Sequence, residues 1–188
     1  MRVDFHVNIN KMTGFEQKKL RNFDDEAAKE HSDVVLKIGD QKFYVYKSYL
    51  SLHSSYFKAL FSGNFSESGK SEIELKDIDA DNLQRFLEVI YGEPAIDKKN
   101  HVGILKLADF FDSKTVIRRC EEFLVNKSAT SLKTKFELGN KYKMEKLKKR
   151  CIFEISTSAE FKSIIPENAA ELEHDTWKEL LKKSTRYF

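Results

Sequence analysis

Hydrophobic residues alternate with polar ones in a few short stretches, then recur at helical spacing along most of the chain. In VDFHVNI, Val3, Phe5, Val7 and Ile9 fall on every second position, the period of a strand. Met12-Thr13-Gly14 ends that run. Residues 15–31 are highly charged, and Phe23, Ala27 and Ala28 supply only a thin stripe for one modest helix. Val34-Val35-Leu36-Lys37-Ile38 is a β-branched run, Gly39-Asp40 is a two-residue turn, and Gln41-Lys42-Phe43-Tyr44-Val45 returns, which predicts a hairpin. The period then changes. Tyr49, Leu50, Leu52 and His53 open a helix, and Tyr56, Phe57, Leu60 and Phe61 continue one helical face until Ser62-Gly63-Asn64 stops it.

Ile73 and Leu75 alternate with polar neighbours between Ser71 and Lys76, a further short strand. Asp79 or Asp81 can cap the helix that follows, in which Leu83, Phe86, Leu87 and Ile90 share a face, and Gly92 and Pro94 end it. The same spacing returns in Ile104, Leu107, Ala108 and Phe111, and again in Val116, Ile117, Cys120, Phe123 and Leu124. Periodicity breaks at Ser128–Ser131. Beyond it, Leu132 and Phe136 mark one helix, Leu147, Cys151, Ile152 and Ile155 a second, and Pro166 with the stretch Ala169 to Leu181 a last pair. The order predicts an α+β domain followed by helices only. The boundaries fall at 1–30 for an N-terminal strand and linker, 31–128 for the α+β domain, and 129–188 for the helical extension.

Composition adds limits rather than a function. The 188 residues are 40% hydrophobic with 15 Phe, ample for a core, and 34% charged. No apolar run approaches the roughly 20 residues of a membrane helix, and the N-terminus has no signal-peptide pattern. A cytosolic or nuclear location is therefore expected. The net charge of +3 is small, and only the part beyond residue 128 leans basic. That is too weak for a nucleic-acid footprint. Cys120 and Cys151 each sit on a helical apolar stripe and read as buried, reduced thiols.

The search for chemistry finds little. The seven glycines form no phosphate-binding loop. The five histidines are far apart and neither cysteine has a near neighbour of its kind, so no local metal-ligand pair exists. No G-x-S-x-G elbow appears. Asp24-Asp25-Glu26 and Glu121-Glu122 read as solvated carboxylates. His53 reads as a core or interface histidine rather than a base. The run Lys143 to Arg150 reads as an amphipathic helix with Leu147 inward, against a nuclear-localisation or nucleic-acid patch. No catalytic residue, cofactor, metal, nucleic acid or membrane is expected. A protein-binding surface remains. Phe65, in the polar loop Gly63 to Ser68, either closes the core at a helix end or anchors a partner.

Several ordered segments resemble the BTB/POZ family. They are Ser32-Asp33-Val34-Val35, Phe43 to Leu50, Ser55 to Phe61, Ile73 to Ile78, Phe86 to Gly92, and Leu105 to Asp109. Together they span about residues 30 to 127. Tyr46 stands where the family usually has His, and Gly92-Glu93 follow Tyr91 in place of Thr-Gly. Residues Ser131 to Cys151 resemble the helical box, a partial BACK-like extension, that follows BTB domains in cullin-3 adaptors. The whole is similar to small nematode BTB proteins, with no kelch array, zinc finger or full MATH domain legible.

The resemblance implies a homodimer, with Asp33 and Lys47 as a partly buried charged pair and Tyr49, Leu50 and His53 at the interface. It also implies contact with the cullin-3 N-terminal domain through Phe65-Ser66-Glu67, an apolar-x-Glu loop, together with Tyr91 and Phe110. The implied function is a non-enzymatic substrate adaptor of a cullin-3 ubiquitin ligase. The alternative is a BTB scaffold for a corepressor or other non-cullin partner. The substrate protein is not named by any residue, and the strand at Val3–Ile9 suits either exchange between protomers or local packing.

Overall fold

The computed structural model describes residues 19–62, 70–166 and 172–185. The strand expected at Val3–Ile9 lies outside them. The hairpin forms as the pattern predicts. β1 (Val34–Ile38) and β2 (Gln41–Val45) pair antiparallel from Val34 opposite Val45 to Ile38 opposite Gln41. Gly39 turns the chain at φ 55°, where a side chain is strained. Val34, Leu36, Phe43 and Val45 are buried on one face of the pair, the alternation a half-covered sheet requires. β3 (Glu72–Glu74) pairs parallel to β1, giving the order β2-β1-β3.

Within residues 19–31 the one modest helix forms around Ala27 and Ala28. α1 (Glu26–His31) is capped by Asp25 and has no buried residue. Phe23 is buried, but ahead of the helix, against Phe43 and Tyr91. The single helix expected after the hairpin is two, α2 (Lys47–His53) and α3 (Ser55–Phe61), broken at Ser54. The apolar period runs across the break, so periodicity alone does not reveal it.

α4 (Ala80–Ile90) starts at Asp79, whose carboxylate accepts from the Asn82 N–H at 2.8 Å. The spacing predicts one apolar face, yet every residue from Leu83 to Ile90 is buried, including Gln84, Arg85 and Glu88. α5 (His101–Phe110) and α6 (Lys114–Asn126) pack against it. Burying side chains such as Phe86 and Leu87 contributes about 1.5–3 kcal/mol each, so α4 is the main apolar axis of the domain.

The helices beyond the break are α7 (Leu132–Lys141), α8 (Glu145–Glu154), α9 (Ser158–Ile164) and α10 (His174–Ser184). The last pair therefore begins earlier than Ala169. Glu121 joins this extension to the first domain. Its Oε1 accepts from the N–H groups of Lys146 and Leu147 at 2.8 and 3.1 Å, so a carboxylate on α6 caps the first turn of α8. Glu121 is thus buried and not part of a solvated pair, whereas Glu122 is exposed beside Arg118. Lys148 corrects the basic run in the same way. It is buried, and its ammonium holds Glu145 at 2.6 Å and Glu173, the residue before α10, at 2.9 Å. Lys143, Lys146, Lys149 and Arg150 stay exposed.

Candidate functional site

Two buried serines set the geometry of the surface that follows the hairpin. Ser54 Oγ accepts from the Phe57 N–H at 3.1 Å, which starts α3, and donates to the Phe111 carbonyl at 2.5 Å. Ser113 Oγ donates to the His53 carbonyl at 2.7 Å, and the Ser55 N–H reaches the Asp112 carbonyl at 3.3 Å. The α2–α3 junction is therefore fastened to the α5–α6 turn, where Asp112 holds a left-handed φ of 46°. Each bond satisfies a polar group that would be costly to leave unpaired in the interior.

On this frame the aromatic residues of α3 form a stack. Phe57 meets Phe111 at 4.7 Å and Phe61 at 5.8 Å between ring centroids, and Tyr56 meets Phe110 at 5.5 Å. Phe57 and Phe111 are fully buried, but Phe110 is 57% exposed. Phe110 thus presents a large ring to solvent beside Tyr56. Phe65, Ser66 and Glu67 lie outside the described residues. The chain reaches Ser62 on one side of them and resumes at Lys70 on the other. Lys47 touches both sides. Its ammonium donates to the Lys70 carbonyl at 3.2 Å and sits 5.8 Å from the centroid of the Phe61 ring.

Asp33 meets Lys47 through the backbone, not through its ammonium. The carboxylate accepts from the Lys47 N–H at 2.7 Å and caps α2 from outside the helix, where negative charge is favoured. Asp33 is thus a helix cap, while the Lys47 ammonium reaches the Lys70 carbonyl and the Phe61 ring.

The outer side of α2 carries a second group. Tyr49 packs on His53 at 4.8 Å and on Tyr91 at 4.7 Å, and donates to the Ile90 carbonyl. His53 Nδ1 lies 3.3 Å from Thr115 Oγ1. Burial, with a smaller push from the Arg119 charge, lowers the His53 pKa. Tyr91 is pushed up to about 12, mainly by burial. It meets Tyr49 of α2, and Phe23 and the Arg21 guanidinium from the segment ahead of α1. Leu50 is fully buried inside the chain and offers no surface to a partner, which removes it from an interface role. Leu52 is 80% exposed on the same helix. Sequence reasoning passed over it, although its position off the Leu50 face was the available signal.

Burial pushes the Cys120 and Cys151 thiols up to about 12. Among the described residues no cluster of His, Cys, Asp and Glu is arranged to hold a metal, and no helix is long and apolar enough to cross a membrane. The arrangement offers rigid aromatic surface rather than reactive groups.

Comparison with known proteins settles the family. The BTB/POZ domain model matches residues 23–128, more than half of the chain. The chain belongs to the BTB/POZ family. This BTB protein is 50% identical over 151 residues to BTB and MATH domain-containing protein 15 of Caenorhabditis elegans, covering 80% of this chain and 55% of that relative. It is 36% identical over 172 residues to BTB and MATH domain-containing protein 45 of the same organism, covering 92% of this chain and 36% of the relative. Human Kelch-like protein 28 is 38% identical over 93 residues, covering 49% of this chain and 16% of that protein. The BTB protein therefore spans about half or less of the length of these relatives. Among solved structures, the BTB domain of zebrafish PATZ1 aligns at 24% identity and a TM-score of 0.42, covering 50% of this chain and 75% of that one. The order of a small mixed sheet with helices, then helices only, is the one the hydrophobic pattern predicts, and its BTB membership is the one the resemblance implies.

Proposed function

We propose that this BTB protein is a non-catalytic, homodimeric adaptor that presents the Phe65-Ser66-Glu67 loop and Phe110 to the cullin-3 N-terminal domain and holds a substrate protein for ubiquitination, in the cytosol or nucleus. The observation that carries the reading is Phe110, exposed and braced by Tyr56 on the helix that leads into the loop. Tyr56 lies on α3, which ends at Phe61, and the Phe65-Ser66-Glu67 loop follows that helix in sequence. Membership of a family that includes Kelch-like and BTB-MATH proteins supports an interaction role. In the dimer, the outer side of α2 with Tyr49, His53 and exposed Leu52 meets the partner protomer. The helices of 129–188 form the box that extends the cullin contact, fixed in place through Glu121.

Pull-down with the purified cullin-3 N-terminal domain tests this. Wild type is expected to bind, and Phe110→Ala or the pair Phe65→Ala with Glu67→Ala to lose binding while keeping the far-UV spectrum. Equal binding by these variants, or none by wild type, refutes the proposal.

A further inference from the structure

The segment just ahead of α1 lies across the domain in a manner that its own side chains do not require. Glu88, fully buried on α4, accepts from two consecutive backbone N–H groups, those of Leu20 at 2.7 Å and Arg21 at 3.2 Å. Gln84 Nε2 donates to the Arg21 carbonyl at 2.7 Å and to Glu88 itself at 2.8 Å. Arg85 pairs with the other Glu88 oxygen at 2.8 Å. One step on, the Phe23 carbonyl accepts from the Tyr44 N–H at 2.8 Å. Tyr44 is on β2, the outer strand of the sheet. The main chain of Leu20–Phe23 is therefore read at four polar groups, by a carboxylate, an amide and a strand edge.

Only two side chains of the segment are gripped. Phe23 is buried, with ring centroids 5.2 Å from Tyr91 and 6.4 Å from Phe43. The Arg21 guanidinium lies 4.6 Å from the centre of the Tyr91 ring. Leu20 and Asn22 are exposed. A cavity of about 410 Å³ lies between the segment itself, Leu20 to Phe23, and Tyr44, Tyr46 and Tyr91. Main-chain recognition joined to an aromatic pocket and an edge strand is the way folded domains capture extended peptides.

We propose that Leu20–Phe23 is an internal pseudo-ligand in a peptide-recognition groove, and that the groove accepts in its place an extended peptide of another protein with an aromatic residue at the Phe23 position and a basic residue two before it. The groove is made by α4, β2 and Tyr91 and is separate from the loop and Phe110 proposed to meet cullin. Displacing the segment leaves no stranded charge. Glu88 keeps Arg85 and Gln84, and its two vacated bonds go to water, because the segment lies at the surface with Leu20 45% exposed. The covalent tether gives the internal segment an effective concentration in the millimolar range, so an outside peptide competes only once the segment is weakened.

The test uses the full chain and a fluorescent peptide of residues 19–25, KLRNFDD, followed by anisotropy. Phe23→Ala vacates the pocket. This variant is expected to bind the peptide saturably and about tenfold more tightly than wild type does, the tether having lost its anchor. A peptide with Ala in place of Phe is expected not to bind. Adding Gln84→Ala to Phe23→Ala is expected to weaken binding by about tenfold, the worth of one buried hydrogen bond. Absence of saturable binding to a folded Phe23→Ala protein, or equal binding of the Ala peptide, overturns the proposal. Amide hydrogen exchange on wild type guards against a variant that does not fold. The Leu20 and Arg21 amides are expected to exchange together and faster than those of β1, with Arg21→Ala speeding them further. If they exchange only with global unfolding, the segment is a fixed part of the core and the proposal fails.

Discussion

Ser54→Ala tests whether the α2–α3 junction is fastened as described. The substitution removes one oxygen that makes two bonds. Losing the cap of α3 costs about 1 kcal/mol, within a range of roughly 0.5–2. Leaving the Phe111 carbonyl unpaired in the interior costs about 1–3 kcal/mol more. The combined loss, about 2–4 kcal/mol, is a large part of the roughly 5–15 kcal/mol that holds a domain together. Urea denaturation at fixed protomer concentration measures it, because dimerisation would otherwise move the midpoint. Far-UV circular dichroism follows the whole chain, and Trp177, the single tryptophan, reports from α10. With a urea slope of about 1.5–3 kcal/mol per molar, the midpoint should fall by roughly 1–2 M with the slope unchanged. Ser55→Ala, exposed one residue on, should stay within about 0.5 kcal/mol of wild type. Ser113→Ala should be costly too, and the double variant with Ser54→Ala should fall short of the sum by about 0.5 kcal/mol or more, since both bonds hold one junction. A Ser54→Ala loss below about 0.5 kcal/mol would refute the reasoning and detach the position of Phe110 from the α2–α3 break.

Other outcomes are open to direct measurement. Leu52→Asp should halve the mass seen by light scattering without lowering helicity; an unchanged mass takes α2 out of the protomer contact. Glu121→Ala should cost about 1–2 kcal/mol by uncapping α8, and the Trp177 transition should move at least as far as the whole-chain one; no shift would mean the extension is held by apolar contact alone. Both thiols should be silent to a disulfide reagent at pH 8 in the native protein and react fully in denaturant, since burial keeps them protonated up to about 12; rapid native labelling of either would contradict its burial. His53 has a lowered folded pKa, so its neutral form is favoured by folding. Its contribution is complete above the unfolded value of about 6.5 and is lost as pH falls from there through the folded pKa. His53→Gln should flatten the fall in stability below that pH, and an unaltered pH profile would show that His53 titrates freely.

The hairpin was legible because a β-branched run, a Gly-Asp turn and a second run leave no other pairing. Phe111 was legible as core from helical spacing, whereas Phe110 was named only through the resemblance. The α2–α3 break was not, because Ser54 becomes a cap only through Phe111, 57 positions away. The same holds for Glu121 and Lys148. Each lies in a charged stretch and looks solvated, and only a tertiary partner shows that it is buried. Leu50 and Leu52 differ by two positions and by everything in exposure, which a family pattern read at the level of an element does not resolve. The loop with Phe65 stood out by residue type, and its cullin role came from the resemblance alone.

The sheet has a further consequence for how the protein behaves at high concentration. Among the described residues, three strands in an open order present two margins, and an unguarded margin invites edge-to-edge aggregation. Here the β2 margin gives one of its donors to the Phe23 carbonyl, and the β3 margin is three residues long. Glu72 also spans the outer face, 2.9 Å from Lys42 and 3.8 Å from Lys37, laying charge across all three strands. Solubility of the folded state therefore depends on a handful of exposed residues that contribute little to folding. Their replacement by apolar residues would produce a protein that folds normally and then precipitates.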